Sequence, residues 1–206
     1  MTKWGRRMGE PRLRGWTLQE FLPWEEQQPD RYELVDGQPV LMSGGTQAHN
    51  LIAVNLISAL RPLLRGTPCR PGGSDLRVPV PVTGRSRYPD VTIDCGRYEP
   101  GAHDATSPAV VFEVLSQSTK WFDQNKKLTD YDTIPSIQQY VCIAQDELRI
   151  SVWTRGVEGR LLQQDDITEI SATLNLSCIG VSLSLSDIYE DTGIADGTQS
   201  GSAAGR

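Results

Sequence analysis

Two stretches, Tyr88-Pro89-Asp90-Val91-Thr92-Ile93 and Ala109-Val110-Val111-Phe112-Glu113-Val114-Leu115, carry the reading of the fold. The second is apolar apart from Glu113, the pattern of a strand covered on both faces in the middle of a sheet. In the first, Pro89 takes the opening position of a strand, where its missing N–H is tolerated, and sets Asp90 at the strand's mouth. A carboxylate inside a buried strand costs several kcal/mol or titrates upward unless something compensates it. Arg87 is one such partner. If the two strands are neighbours, Asp90 and Glu113 come within reach of one divalent cation, whose preference for hard oxygen ligands would resolve the burial of both. A Mg²⁺ or Mn²⁺ site follows.

Only four of the 20 basic residues are lysines, and three of them (Lys120, Lys126, Lys127) fall just after this strand. Thr119 or Asp123 can cap a helix running through Tyr131, on which Asp123, Lys127 and Tyr131 share one face by their spacing of four. The short connection from Leu115 lets Lys127 fold back toward the carboxylates. Lys126 is off that face. A cation, two carboxylates and a lysine form a phosphodiester-cleaving arrangement: the metal activates water and clamps phosphate, and the ammonium steadies the hydroxide or the developing anion.

Upstream, Thr17 and Glu20 have capping-box spacing and start a short helix from about Leu18 to Glu26, with Pro23 inside it. Asp36-Gly37 between Tyr32–Val35 and Gln38–Met42 predicts a hairpin. Leu51, Val54, Ile57 and Leu60 recur at helical intervals within residues 47–65. Leu76, Val78, Val80 and Val82 alternate, while Pro79 and Pro81 confine that strand to an edge or a bulge. Downstream, residues 137–144 and 148–154 read as strands around the turn Gln145-Asp146-Glu147, residues 167–185 as short irregular strands, and residues 186–189 as a turn of helix. This order implies an α/β (α+β) fold with a mixed sheet flanked by helices.

The length of 206 residues and the 38% hydrophobic content fit one domain, expected over residues 16–191, between a flexible basic arm (1–15) and a disordered tail (192–206). The absence of a long apolar run argues against a membrane span and a secretory signal, so a cytoplasmic protein is expected. Cys69, Cys95, Cys142 and Cys178 form no metal-binding spacing and are expected as buried free thiols rather than a disulfide scaffold. The net charge of −6 disfavours indiscriminate nucleic-acid binding. However, Arg61, Arg65, Arg70, Arg77, Arg85 and Arg87 form either a local basic patch or a solvated loop surface. No G-x-S-x-G elbow surrounds Ser116 or Ser118, which excludes acyl transfer of that type. The dispersed tryptophans read as packing residues.

Taken together, the segments RYELVDG (31–37), AHNLIAVNL (48–56), YPDVTI (88–93), FEVLSQST (112–119) and DQNKKLTDY (123–131) resemble the PD-(D/E)XK nuclease superfamily, and more closely its bacterial Uma2 (Uma-two) family of restriction-endonuclease-like proteins. The resemblance implies a restriction-endonuclease-like core and a metal-dependent endonuclease acting on DNA. It matches Asp90 and Glu113 to the acidic pair, Lys127 to a lysine moved onto the following helix, and Glu33 and His49 to two further site residues. On the residues alone, Glu33 reads equally as a solvent-facing hairpin residue and His49 as a structural histidine. The superfamily's usual lysine position, two after the glutamate, is Leu115, so either Lys127 replaces it or catalysis is lost. The alternative is therefore a non-catalytic binding or assembly module on the same fold. A homodimer is expected in either case.

Overall fold

The computed structural model describes residues 15–42, 44–116 and 122–194, with the side chains of 122 and 123 excluded. All but the last residue of the expected basic arm and all but the first three residues of the expected tail lie outside the described residues, as do Thr119, Lys120 and Trp121.

Helix α1 (Leu18–Glu25) opens on the Thr17/Glu20 capping box and tolerates Pro23 in its interior. Strands β1 (Tyr32–Val35) and β2 (Gln38–Leu41) pair across Asp36-Gly37, both at positive φ as a two-residue hairpin turn requires. Helix α2 (Gln47–Leu63) follows. Next come β3 (Arg70–Gly73), β4 (Val78–Val80), β5 (Arg85–Arg87), β6 (Val91–Asp94) and β7 (Pro108–Leu115). Helix α3 (Phe122–Asp132) leads to β8 (Gln139–Ala144), β9 (Ile150–Arg155) and β10 (Leu161–Gln163). The described chain closes with β11 (Thr173–Leu176), β12 (Val181–Ser184) and α4 (Leu185–Ile188).

The central sheet is mixed, in the order β10-β9-β8-β7-β6-β3, with β7 and β8 parallel across the α3 crossover and the other pairs antiparallel. As the apolar run requires, β7 is interior to it. A four-stranded sheet, β2-β1-β5-β4, stands beside it, with the proline-bearing β4 at an edge. The division into two sheets was not expected: Arg85-Ser86-Arg87 has no apolar alternation, and it becomes a strand because β1 and β4 flank it.

The alternation of β7 separates two cores. Val110, Phe112 and Val114 pack with Ile52, Leu56 and Leu60 of α2, while Val111 and Leu115 pack with Tyr131, Tyr140 and Trp153 on the α3 side. Burying each of those α2 aliphatics contributes about 1.5–3 kcal/mol. Trp16, Trp24 and Tyr32 form an aromatic cluster and Tyr140 stacks on Trp153, so these rings serve packing.

Two expectations are corrected. Cys69 and Cys95 form a disulfide and Cys178 is an exposed thiol, so only Cys142 is a buried free one. The β3–β6 register pairs Arg70 with Asp94, which brings the residues just beyond them face to face, a proximity that a separation of 26 in sequence does not disclose. Three of the six arginines do not contribute to a basic surface either. Arg77 is buried against Glu25 and Asp104, Arg85 binds Asp36 and Asp130, and Arg87 binds Glu33 and Asp130.

Candidate active site

The β6–β7 register builds the site. Val91 opposes Phe112, and continuing that antiparallel pair by one residue sets Asp90 opposite Glu113 on the α3 side of the sheet. Asp90 is fixed there because its Oδ2 accepts a hydrogen bond from the Val114 N–H at 2.7 Å. Glu113 is almost wholly buried. Its Oε2 accepts from the Lys127 ammonium at 2.8 Å and its Oε1 from the Tyr131 hydroxyl at 2.7 Å. Burial pushes the Glu113 carboxyl up to about 7, with Asp90 and Glu33 adding to the rise and Lys127 opposing it.

Lys127 and Tyr131, one helical turn apart, therefore grip the same carboxylate from α3. The side chain of Asp123, expected on that face, lies outside the described residues. Lys126 points elsewhere and sits 3.2 Å from Asp36 at the cleft rim. Leu115 is buried on the α3 side, packed in the core and bordering the cleft beside Glu113. Arg87, considered as a partner for Glu113, instead donates to Glu33 Oε2 at 2.8 Å.

His49 lies in the first turn of α2, where Thr46 caps the helix by accepting from the His49 N–H. Its Nε2 is 3.3 Å from Asp90 Oδ1, and that hydrogen bond raises the imidazole pKa against an opposing effect of burial. Gly45 presses on the ring: a Cβ there would come within 2.6 Å of His49 Nδ1. Glu33 on β1 accepts from the Tyr88 N–H at 3.2 Å and lies 3.9 Å from the Lys127 ammonium. All five expected residues line one open cleft of about 470 Å³, whose other wall is apolar and includes Val40, Leu41 and Met42.

The sequence reading missed the contacts of two buried groups. Tyr131 was placed beside Lys127 but not given a partner. Asp130, fully buried in α3, binds Arg87 of β5 through Oδ2, with Nε at 2.9 Å. The signal for Asp130 was faint, an acid in a helix whose partners lie more than forty positions away.

A family model described as "Putative restriction endonuclease", Uma2, matches residues 18–186. The chain belongs to the Uma2 family. Two uncharacterized proteins of Synechocystis sp. are similar to it. One is 33% identical over 172 residues, covering 83% of this chain and 90% of the relative, and the other is 35% identical over 135 residues, covering 63% and 75%. A crystal structure titled as a putative nuclease of DUF820 from Anabaena variabilis shares the fold of this Uma2 chain, with a TM-score of 0.67 at 20% identity, over 84% of this chain and 97% of that one.

The donor set can be tested against the divalent ion that such a fold implies. Among the described residues no three His, Cys, Asp or Glu side chains are grouped to hold a metal. Asp90 and Glu113 are hard oxygen donors on one face of the sheet, facing an open cleft that Glu33 also lines. Mg²⁺ is commonly held by one or two carboxylates with water and substrate phosphate completing its shell, so this pair fits that ion and not a closed all-protein cage. Asp90 and Glu33 add to the rise of the buried Glu113 carboxyl, an effect that a cation in the cleft would oppose.

Proposed function

We propose that this Uma2 protein is a metal-dependent endonuclease that hydrolyses phosphodiester bonds in DNA. The observation that carries the proposal is the Lys127 ammonium at 2.8 Å from Glu113, with Asp90 across the strand pair and all three lining one cleft. In this reading Asp90 and Glu113 hold Mg²⁺ or Mn²⁺. When bound, the ion supplies a Lewis acid for the phosphate and lowers the pKa of water.

Lys127 contributes a compact charge that steadies the attacking hydroxide or the anion developing on phosphorus. His49 orients Asp90 through their hydrogen bond, and Glu33 lies 3.9 Å from the ammonium. The family description supports DNA as the substrate. A homodimer belongs to the same reading, since cutting both strands needs two sites. Among the described residues no helix is long and apolar enough to cross a membrane. A cytoplasmic location belongs to the reading too, although the Cys69–Cys95 bridge runs against it because such bonds are rare there.

The test is nicking of supercoiled DNA by the purified protein with Mg²⁺ or Mn²⁺, beside calorimetric Mn²⁺ titration. Cleavage lost in Lys127→Ala, with Mn²⁺ binding dependent on both Asp90 and Glu113, supports the reading. No cleavage of varied DNA or RNA and no metal binding leaves the non-catalytic binding or assembly module on the same fold.

A further inference from the structure

Residues of the site come from two different sheets. Glu33 stands on β1 of the four-stranded sheet, whereas Glu113 on β7 and Asp90 at the mouth of β6 belong to the six-stranded one. Among the described residues no strand pairing joins these sheets; the short link from β5 to β6, whose Tyr88 N–H binds Glu33, ties them on one side, and the side that carries Lys127 needs a tie of its own. Helix α3 is placed to do this. Lys127, Asp130 and Tyr131 fall at i, i+3 and i+4 and share one face. Lys127 and Tyr131 reach β7 through Glu113, and Asp130 reaches β5.

We propose that the Arg87–Asp130 pair is a positioning device that locks α3 to the four-stranded sheet and thereby sets Glu33 and the Lys127 ammonium against Glu113. The contacts form one uninterrupted chain. Asp130 Oδ1 accepts from Arg85 NH1 at 2.7 Å and from the Thr83 hydroxyl at 3.1 Å. Asp130 Oδ2 accepts from Arg87 Nε at 2.9 Å and lies 2.7 Å from Arg87 NH2. The remaining nitrogen of the guanidinium, NH1, donates to Glu33 Oε2 at 2.8 Å, and the other oxygen of Glu33 is 3.9 Å from Lys127.

Both members are withdrawn from solvent, with relative exposures of 1% for Arg87 and 0% for Asp130. Asp130 does not line the cleft, so it acts through other groups and not on substrate. The planar fork of Arg87 is suited to joining two carboxylates, because it presents donors on separate edges in fixed geometry, which a lysine does not. A pair of this kind is poor evidence for stability but well suited to specifying one arrangement of the elements it joins.

The inference rests on the nuclease reading for its catalytic consequence but not for its geometry, and the experiment separates the two. Lysine-selective NMR of the chelated, metal-free protein observes only four lysines, and the Lys127 signal is assigned by its loss in Lys127→Ala. Asp130→Asn, isosteric but uncharged, and Arg87→Lys, charged but without the fork, are compared with wild type after thermal unfolding has confirmed that each folds.

The expected result is a shifted Lys127 side-chain signal in both variants. Cleavage falls about 10²-fold in kcat with KM nearly unchanged, the cost of misplacing a reacting group by about 1 Å. If Asp130→Asn does not fold, Arg87→Lys decides. An unmoved Lys127 signal in a folded variant overturns the proposal whatever the cleavage assay gives. A wild type that cleaves nothing removes the kinetic consequence and leaves the positioning claim to the spectrum.

Discussion

The Lys127 ammonium lies 2.8 Å from Glu113 Oε2 although its backbone belongs to α3 and not to the strand that carries the glutamate. Leu115, which shares the Glu113 side of β7 by the strand period of two, is packed in the core and borders the cleft with an apolar side chain. The helix thus delivers the charge that the strand does not. Lys127→Ala is expected to reduce cleavage by about 10²- to 10³-fold, as for the loss of one preorganised stabilising donor. The fold persists, because Glu113 keeps its Tyr131 hydrogen bond and can take up a proton. Placing lysine back on the strand, Leu115→Lys in the Lys127→Ala background, is expected to recover part of that loss. Plasmid nicking with circular dichroism as a control decides the matter, and full activity in Lys127→Ala would remove the residue from the mechanism.

Glu113 also makes stability depend on pH in the metal-free protein. Its folded pKa of about 7 is above the ordinary 4.5, so the folded state holds the proton more tightly than the unfolded chain does. The stabilisation is complete below pH 4.5 and is lost as pH rises through about 7, a loss of roughly 3 kcal/mol at 1.36 kcal/mol per unit. His49, with its raised pKa, works in the same direction at higher pH, so the comparison must be made against Glu113→Gln. Urea unfolding in chelator at pH 5 and pH 8 should show a steep decline for wild type and a shallower one for the variant. Equal slopes would mean that the buried carboxylate does not titrate in this range.

Much of this architecture was legible because it depends on local chemistry. The Thr17/Glu20 box, the Asp36-Gly37 turn and the apolar run of β7 each dictate their own conformation. The convergence of Asp90, Glu113 and Lys127 was legible too, from a carboxylate that could not remain alone in a buried strand and from a spacing of four on a helix. What was not legible depends on register between distant segments. Arg87 has two carboxylate partners, one from β1 and one from α3, and only the assembled four-stranded sheet brings both to it. Arg77, Arg85 and Arg87 read as members of a patch or solvated surface because their acidic partners lay elsewhere in the chain, Glu25, Asp104 and Asp130 among them.

His49 can be tested without touching any charged group. A Cβ on Gly45 would stand 2.6 Å from Nδ1 and 2.7 Å from Cγ of the imidazole, and the ring must turn away to admit it. Gly45 is exposed and its φ is not in the left-handed region, so Gly45→Ala should change stability by no more than about 0.5 kcal/mol. Turning the ring breaks the 3.3 Å contact with Asp90, the chief cause of the raised His49 pKa, which should then fall toward 6.5. The protein has two histidines, and His103 serves as the internal reference in an NMR titration. A His49 titration unchanged by the substitution would show that the contact with Asp90 does not govern its protonation.

The Cys69–Cys95 bridge should matter to the edge of the sheet and not to the chemistry. Strand β3, Arg70-Pro71-Gly72-Gly73, is poorly suited to its place: proline lacks a ladder donor, and the glycines lose entropy while offering no side chain to pack. The disulfide joins its first end to β6 just past the Arg70–Asp94 pair and closes a loop of 26 residues, worth about 3–4 kcal/mol in the loop-entropy account. Cys95 stands at the opposite end of β6 from Asp90, about 16 Å along the strand at 3.3 Å per residue, so the carboxylates are not disturbed when the bridge opens. Cys69→Ala/Cys95→Ala is therefore expected to unfold at lower denaturant and to lose hydrogen-exchange protection first in β3 and its β6 neighbours. Mn²⁺ binding and cleavage per folded molecule should stay at the wild-type level. If metal binding weakens along with β3 protection, the edge strand and the carboxylate pair form one cooperative unit and the separation argued here is wrong.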